Sequence, residues 1–185
     1  PAAARRELGL DPDLPLVCMM YGGYGSARML EMAEALRSDP PGVQIAFLCG
    51  RNEDLAERIR AAALPFPTTV LGYTREVHRY MAVSDVFVGK TGPLSVSEAL
   101  AFGLPLLIDR DNVLPQERTV LGWIKRSGAG AIFSRPAQFA DALRGLLATG
   151  GSARNPASDA AGGNQAARQV TGFINEIARR SGSWT

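Results

Sequence analysis

The sequence has few of the residues on which metal sites and nucleophilic catalysis depend. Its 185 residues include one histidine and two cysteines, and none of these lies at the spacing of a metal-ligand motif. His78 has no aspartate or serine at the spacing of a catalytic triad, so we expect it at the surface or beside a site. Cys18 and Cys49 each lie in an apolar run, which is typical of buried core thiols. We therefore predict no metal site and no redox role for the cysteines.

The chain also lacks long apolar runs and an excess of one charge. No segment approaches the roughly 18 apolar residues of a membrane span, and the start lacks a signal-peptide pattern. The 20 basic and 18 acidic residues are scattered, which argues against nucleic acid, although several arginines could face anionic lipid. We expect a cytoplasmic protein. Peripheral contact with the inner face of a membrane is consistent with this expectation. Because residue 1 is not methionine, we also expect a longer parent protein.

What the sequence does have is a regular alternation of apolar strands and amphipathic helices. This alternation predicts a doubly wound α/β fold, a Rossmann-like parallel sheet with ligands bound beyond the carboxyl ends of its strands. The common strand order for such a sheet is 3-2-1-4-5-6. The predicted strands are 16–20, 43–49, 68–71, 85–88, 106–108 and 130–133. The predicted helices are 3–9, 27–37, 53–62, 76–82, 93–102, 115–127 and 136–147.

We assign residues 1–185 to a single domain whose last part follows a connector. Residues 149–164 are rich in Gly, Ser, Ala and Asn, a composition typical of a flexible connector. Residues 165–180 predict a C-terminal helix that would pack on this domain or on a partner. Its apolar face consists of Val170, Phe173, Ile174 and Ile177.

A glycine loop joins the first strand to the next helix and is a candidate phosphate site. It contains Gly22, Gly23, Gly25 and Ser26. Glycines allow a phosphate to approach the backbone closely, whereas the alternative is that they only make a tight turn. The third glycine of a dinucleotide fingerprint is missing, and the second strand ends in Gly50-Arg51 instead of an acidic residue. This pattern disfavours NAD and leaves open an NADP site that uses Arg51.

A second candidate anion site lies where the fourth strand meets the helix that begins at Pro93. Its small polar residues are Thr91, Gly92, Ser95 and Ser97. Ser84 stands where a P-loop would need glycine, so Lys90 is interpreted as a strand-end lysine or as one that reaches a phosphate. In the predicted strand order the two loops lie side by side. That arrangement suits a diphosphate.

Glu98 and Tyr73 each have two interpretations, and Asp109 has one. Glu98 could accept hydrogen bonds from a ribose, or it could complete a capping box with Ser95. Tyr73 could stack on a base, or it could simply pack after the third strand. Asp109 is expected to be a solvated loop acid.

Several of these motifs together resemble one enzyme family over the whole chain. They are Leu71-Gly-Tyr73, Ser84-Asp-Val-Phe-Val88, Gly89-Lys-Thr-Gly-Pro93, Ser97-Glu98-Ala99, Gly103-Leu-Pro105 and Pro115-Gln-Glu117. The chain resembles the C-terminal, donor-binding half of GT-B glycosyltransferases of the GT28-like family. That family includes monogalactosyldiacylglycerol synthases, processive glucosyl-diacylglycerol synthases and the N-acetylglucosaminyl transferase that makes lipid II.

The resemblance implies a role for each matching residue. Glu98 would bind the ribose of a UDP-sugar, and Tyr73 would lie beside the uracil. Gln116 and Glu117 would lie near the sugar hydroxyls. The diphosphate would be held by Thr91, Gly92 and Ser95 together with the glycine loop, namely Gly22, Gly23, Gly25 and Ser26.

The resemblance also implies what surrounds this half. The donor would be a UDP-sugar, no metal or cofactor would be needed, and the acceptor would be a lipid, with diacylglycerol one candidate. The acceptor site and general base would lie in an N-terminal domain absent from this chain, so the chain alone is expected to be inactive. Tyr24 and Arg118-Thr119-Val120 depart from the galactolipid synthases and leave the sugar and acceptor open.

Two alternatives remain at this point. The chain could be a standalone donor-binding subunit that works with a membrane partner. It could also be half of a UDP-sugar 2-epimerase, which shares the fold.

Overall fold

The computed structural model describes residues 2–111, 113 and 115–148. The predicted connector at 149–164 and the C-terminal helix at 165–180 lie outside the described residues. None of the described helices is long and apolar enough to cross a membrane.

A six-stranded sheet forms the centre of the described region, and every pair of neighbouring strands is parallel. The strand order is β3-β2-β1-β4-β5-β6, which confirms the predicted doubly wound fold and its order. The strands are β1 (Leu16–Met20), β2 (Gln44–Leu48), β3 (Thr68–Leu71), β4 (Val86–Gly89), β5 (Leu106–Asp109) and β6 (Gly130–Phe133).

Seven α-helices and one short 3₁₀ helix connect and flank the described strands. They are α1 (Ala2–Glu7), α2 (Arg28–Glu34), α3 (Glu53–Ala61), α4 (Val77–Val83), α5 (Pro93–Ala101), α6 (Arg118–Ser127) and α7 (Pro136–Ala148). The 3₁₀ helix, Pro115–Glu117, precedes α6. Helix α2 ends three residues before the predicted 37, because the N–H groups of Leu36 and Arg37 bond to carbonyls three residues back and tighten the chain into turns.

The helices cover both faces of the sheet. Helices α2, α3 and α7 contribute Met29, Leu55 and Phe139 to one apolar cluster, whereas α4, α5 and α6 contribute to a second. Alternate residues of β1 enter the two clusters, since successive side chains of a strand point to opposite faces. Both cysteines are fully buried, as predicted, and burial raises the pKa of Cys18 to about 12 and that of Cys49 to about 11.

One buried arginine holds α1 against the amino edge of the sheet. Nε and Nη2 of Arg5 donate to the carbonyl of Val83 at 2.9 and 2.8 Å, and Nη2 donates to Asp85 Oδ2 at 2.7 Å. The same carboxylate oxygen accepts the N–H of Leu16 at 2.7 Å. This network joins α1 to the starts of β1 and β4, the two strands that meet at the centre of the sheet.

We expect Arg5→Ala to lower the free energy of unfolding by roughly 3 kcal/mol, because it leaves a partly buried carboxylate and a carbonyl without their partner. Arg6→Ala, the matched change at the exposed neighbouring position, should cost less than about 0.5 kcal/mol. Urea denaturation of both variants measures the difference. Equal midpoints would mean that the network does not hold α1 in place.

Candidate functional site

A cavity of about 350 Å³ opens at the carboxyl edge of the sheet, beyond the ends of β1, β2 and β3 and beside the start of α5. Five predicted site residues line it, and these come from three separate parts of the chain: Gly22, Gly23, Tyr73, Ser95 and Glu98. The other lining residues are Met20, Leu48, Gly50, Gly72, Thr74, Arg75, Val77, His78 and Leu94. The structure therefore brings together predicted site residues that are up to 76 positions apart, Gly22 and Glu98.

The glycine loop packs directly against the end of β2. The N–H of Arg51 donates to the carbonyl of Gly23 at 2.9 Å. Gly50 has a φ of +61°, and a Cβ atom there would clash with the Gly23 carbonyl. Gly25 has a φ of +57°, and a Cβ atom there would come within 2.8 Å of Leu55. The glycine loop can pack this closely against its neighbours because Gly25 and Gly50 have no side chains.

Lys90 extends over the glycine loop from the end of β4. A Cβ atom built on Gly22 would lie 3.4 Å from Lys90 Cε and 3.8 Å from Nζ. The side chain of this exposed lysine thus lies near both the loop and Gly92, which precedes α5. Sequence alone left two interpretations of Lys90, and its reach to a phosphate stays a prediction.

Helix α5 begins at the cavity with its first N–H groups uncapped. Gly92 is the N-cap residue, Pro93 is the first helical residue, and no side chain caps this end. The capping-box interpretation is therefore wrong, because Ser95 lies inside the helix instead of at its N-cap. Ser95 and Glu98 both line the cavity, and Glu98 is exposed.

The start of α2, in contrast, is satisfied within the protein. The Ser26 hydroxyl accepts the N–H of Arg28 at 3.3 Å, and the Ser26 carbonyl accepts the N–H of Met29 at 2.9 Å. Neither Ser26 nor Gly25 lines the cavity. The glycine loop therefore reaches the cavity through Gly22 and Gly23. The start of α2, which follows this loop, does not line the cavity.

Tyr73 is exposed and lies beside an arginine. Its side chain is 61% exposed, which contradicts the interpretation that it simply packs into the core. The guanidinium carbon of Arg51 lies 5.2 Å from the centre of the ring, a cation–π contact. Arg51, which sequence reasoning considered only for an NADP phosphate, thus supports the ring that borders the cavity.

Two predicted residues, Thr91 and Glu117, contact each other and are not among the described residues that line the cavity. Thr91 is fully buried, and its hydroxyl donates to Glu117 Oε2 at 2.7 Å. Gln116 lies in the same 3₁₀ helix as Glu117. The hydroxyl of Thr91 therefore fastens this helix to the start of α5. The roles predicted for Thr91, Gly92, Gln116 and Glu117 stay predictions.

The expectation that Asp109 is a solvated acid is wrong. It is 1% exposed and accepts bonds from Tyr21 Oη at 3.2 Å and from Arg28 Nε at 2.9 Å. Burial, followed by the charge of Asp109, raises the pKa of Tyr21, and the hydrogen bond to Asp109 raises the pKa of Arg28. Arg28 also donates to the Ser134 carbonyl at 2.8 Å, so it joins α2 to the ends of β5 and β6. No local pattern could have revealed this pair, because its members are 81 positions apart.

Within the residues that the structure describes, no three His, Cys, Asp or Glu side chains form a group that could hold a metal ion. The predicted absence of a metal requirement stays a prediction.

Comparison with known proteins identifies the family. Residues 19–108 match the glycosyltransferase family 28 C-terminal domain. The chain is also 33% identical over 143 residues to the probable monogalactosyldiacylglycerol synthase 2, chloroplastic, of Oryza sativa subsp. japonica. Residues 19–108 belong to the glycosyltransferase family 28 C-terminal domains. The match covers 74% of this chain and 30% of the rice protein, so the chain spans less than a third of that relative.

Solved structures share the fold at low sequence identity. The glycosyltransferase VinC, in complex with dTDP, superimposes with a TM-score of 0.70 and 20% identity, over 98% of this chain and 46% of VinC. The C-terminal CMP-Kdo binding domain of WaaA from Acinetobacter baumannii has a TM-score of 0.59 and 12% identity, over 85% of this chain and 92% of that one. Both comparisons confirm the GT-B, Rossmann-like α/β fold expected from the sequence.

We expect Gly50→Ala to lower the free energy of unfolding by roughly 2 kcal/mol, because alanine is strained at a positive φ and its methyl group would push the glycine loop away. Gly145→Ala is the matched control. Gly145 lies within α7 with open space around its Cα, so alanine there should stabilise by roughly 0.5–1 kcal/mol. Urea denaturation measures both effects, and unchanged stability in Gly50→Ala would contradict the close approach.

Proposed function

We propose that this chain binds the UDP-sugar donor of a glycosyltransferase in the cavity between the glycine loop and α5. The observation that supports this most directly is the convergence of three electropositive groups at one place. They are the N–H groups of the glycine loop, the Lys90 ammonium and the uncapped start of α5. Each of these favours an anion, and together they match the two charges of a diphosphate.

The contacts around Thr91 refine how the diphosphate would be held. Because the Thr91 hydroxyl is bonded to Glu117, Thr91 and Gly92 would act through their backbone N–H groups. Ser95 and Lys90 would add side-chain donors. These N–H groups and the ammonium suit a leaving diphosphate, because donors that are already in position stabilise developing charge best.

The nucleoside would occupy the other end of the cavity. Glu98, exposed on α5, would accept hydrogen bonds from the ribose hydroxyls, and Tyr73, backed by Arg51, would lie against the uracil. Met20 and Leu48 supply apolar surface beneath these groups. VinC was solved in complex with dTDP, and the WaaA domain is a CMP-Kdo binding domain, so two neighbours in fold support a nucleotide ligand here.

The proposed reaction transfers a hexose to a lipid-type acceptor, as the name of the rice relative suggests for galactose and diacylglycerol. An acceptor hydroxyl forms a bond to the anomeric carbon, the bond from that carbon to the diphosphate breaks, and UDP leaves with the electron pair. The hydroxyl proton passes to a general base that we assign to an N-terminal domain, so this chain alone is inactive. Gln116 and Glu117 would contact the sugar, no metal would take part, and contact with a membrane surface would be peripheral.

The first prediction concerns the nucleotide. Isothermal titration of the chain in EDTA should show tighter binding of UDP than of ADP or NADP, because the proposed contact of Tyr73 is to the uracil and the proposed diphosphate contacts come from N–H groups and Lys90 instead of a divalent ion. A preference for NADP would overturn the assignment. Conversion of the UDP-sugar to its 2-epimer without any acceptor would instead favour the epimerase alternative.

The second prediction concerns Glu98. Glu98→Ala should weaken UDP binding by about tenfold or more, because a charged hydrogen-bond acceptor is removed, while the melting temperature changes little. Glu57→Ala, the same change at an exposed position of α3, should leave binding and stability unchanged.

Titration with 2′-deoxy-UDP provides the control on the ligand side. If Glu98 accepts a bond from the ribose, the preference of the wild type for UDP over 2′-deoxy-UDP should shrink in Glu98→Ala. A preference that is equal in both proteins would show that Glu98 does not contact the 2′-hydroxyl.

A further inference from the structure

A second cavity, of about 690 Å³, lies beyond the end of β5 and is lined by Arg28, Arg110, Asp111, Val113, Arg118 and Leu121. Among the described lining residues, none is shared with the nucleotide cavity and none is a predicted site residue. Three of its six described lining residues are arginines, so the positive charge of this cavity needs explanation.

The arginines of this cavity differ in how far their charge is neutralised. Arg28 is bonded to Asp109 at 2.9 Å, to Glu31 at 2.9 Å and to Asp111, the acid of the lining, at 3.3 Å. The side chains of Arg110 and Arg118 make no ion pair or hydrogen bond within residues 2–111, 113 and 115–148. Two positive charges thus border one cavity without an ion-pair partner among these residues, an arrangement that an anion would stabilise.

Both of these guanidinium groups are attached to backbone that is held in place. Arg110 directly follows β5, and its N–H donates to the carbonyl of Phe133 at 2.9 Å. Arg118 begins α6 directly after Glu117, which accepts the Thr91 hydroxyl. A site built on fixed backbone loses less entropy on binding than one built on a free loop.

The position of the cavity relates it to the proposed reaction. The bond between Thr91 and Glu117 joins α5, which borders the nucleotide cavity, to the segment that leads into Arg118. A sugar attached to the diphosphate and contacting Glu117 would therefore lie between the two cavities. An acceptor held in the second cavity would reach that sugar from the side of the arginines.

We propose that Arg110 and Arg118 bind a phosphate group carried by the acceptor. Guanidinium groups bind phosphate with two parallel hydrogen bonds, and two of them match the charge of a phosphate monoester. The assignment of this phosphate to the acceptor rests on the proposed function. The acceptor is accordingly a phosphorylated molecule, unlike the diacylglycerol that the name of the rice relative suggests, and its phosphate is presented either in solution or on a lipid headgroup.

Binding to the wild-type chain tests this with two probes that share a phosphate monoester. One is sn-glycerol 3-phosphate, followed by calorimetry, and the other is phosphatidylcholine vesicles with and without phosphatidic acid, followed by flotation. The test variant is Arg110→Gln with Arg118→Gln. The matched control, Arg126→Gln with Arg135→Gln, removes the same charge from positions outside the cavity.

We expect the test variant to weaken binding at least about tenfold and the control less than about twofold. If glycerol phosphate binds and competes with the vesicles for the chain, the site recognises a phosphate both in solution and on a lipid headgroup. Binding of the vesicles alone supports a lipid headgroup as its source. Equal losses in both double variants would show that only overall charge matters, and absence of binding to both probes would also overturn the proposal.

Titration with UDP separates this proposal from the preceding one. The Arg110 and Arg118 variant should bind UDP like the wild type, because neither residue lines the nucleotide cavity. If the wild type fails to bind UDP but binds phosphate through these arginines, the phosphate site stands and its assignment to an acceptor is overturned.

Discussion

The pairing of β1 with β4 is the contact on which the candidate site depends. Met20 and Gly89 are partners in this parallel pair, and the strands are so close there that Gly89 has no room for a Cβ atom beside the Met20 carbonyl. Beyond these two residues the strands lead to opposite faces of the sheet. Strand β1 leads to α2 on one face, and β4 leads to α5 on the other. Two loops that diverge from adjacent strands leave a crevice between them, and that crevice is where this fold binds its ligands. The glycine loop, Lys90 and the start of α5 meet there for this reason.

Buried hydrogen bonds then hold the surroundings of the crevice in position. The Arg28–Asp109 pair connects α2 to β5, and the Thr91–Glu117 bond connects the start of α5 to the segment before α6. A buried ion pair contributes little net stability, since desolvation offsets most of its Coulombic attraction. Its effect is geometric: removing Arg28 leaves the buried carboxylate of Asp109 without its cation, so α2 and β5 keep a single relative position. The same pair neutralises Arg28, which leaves Arg110 and Arg118 as the cations of the second cavity.

Most of the fold could be predicted because its signals are local. The bounds of β1 and β3 were predicted to the residue, and the continuous apolar run of β1 identified it as a buried parallel strand. The strand order followed from the general preference of doubly wound sheets. The site was predicted less completely. Gly22, Gly23, Tyr73, Ser95 and Glu98 do line one cavity, but the helix start behind Ser26 is closed by its own hydrogen bonds, and the capping box failed because α5 begins at Pro93.

The sequence by itself determined the order of the elements, the parallel sheet, the glycine loop and the family, since apolar periodicity, glycine and short motifs are all properties of neighbouring residues. Only the tertiary structure decided which polar groups meet. It paired Thr91 with Glu117 across 26 positions and Arg28 with Asp109 across 81, turned Arg51 onto Tyr73, and left Arg110 and Arg118 unpaired within the described residues. Such pairings depend on how helices from distant segments pack against the ends of the strands. Contacts between residues far apart in the chain leave no periodic trace in the sequence.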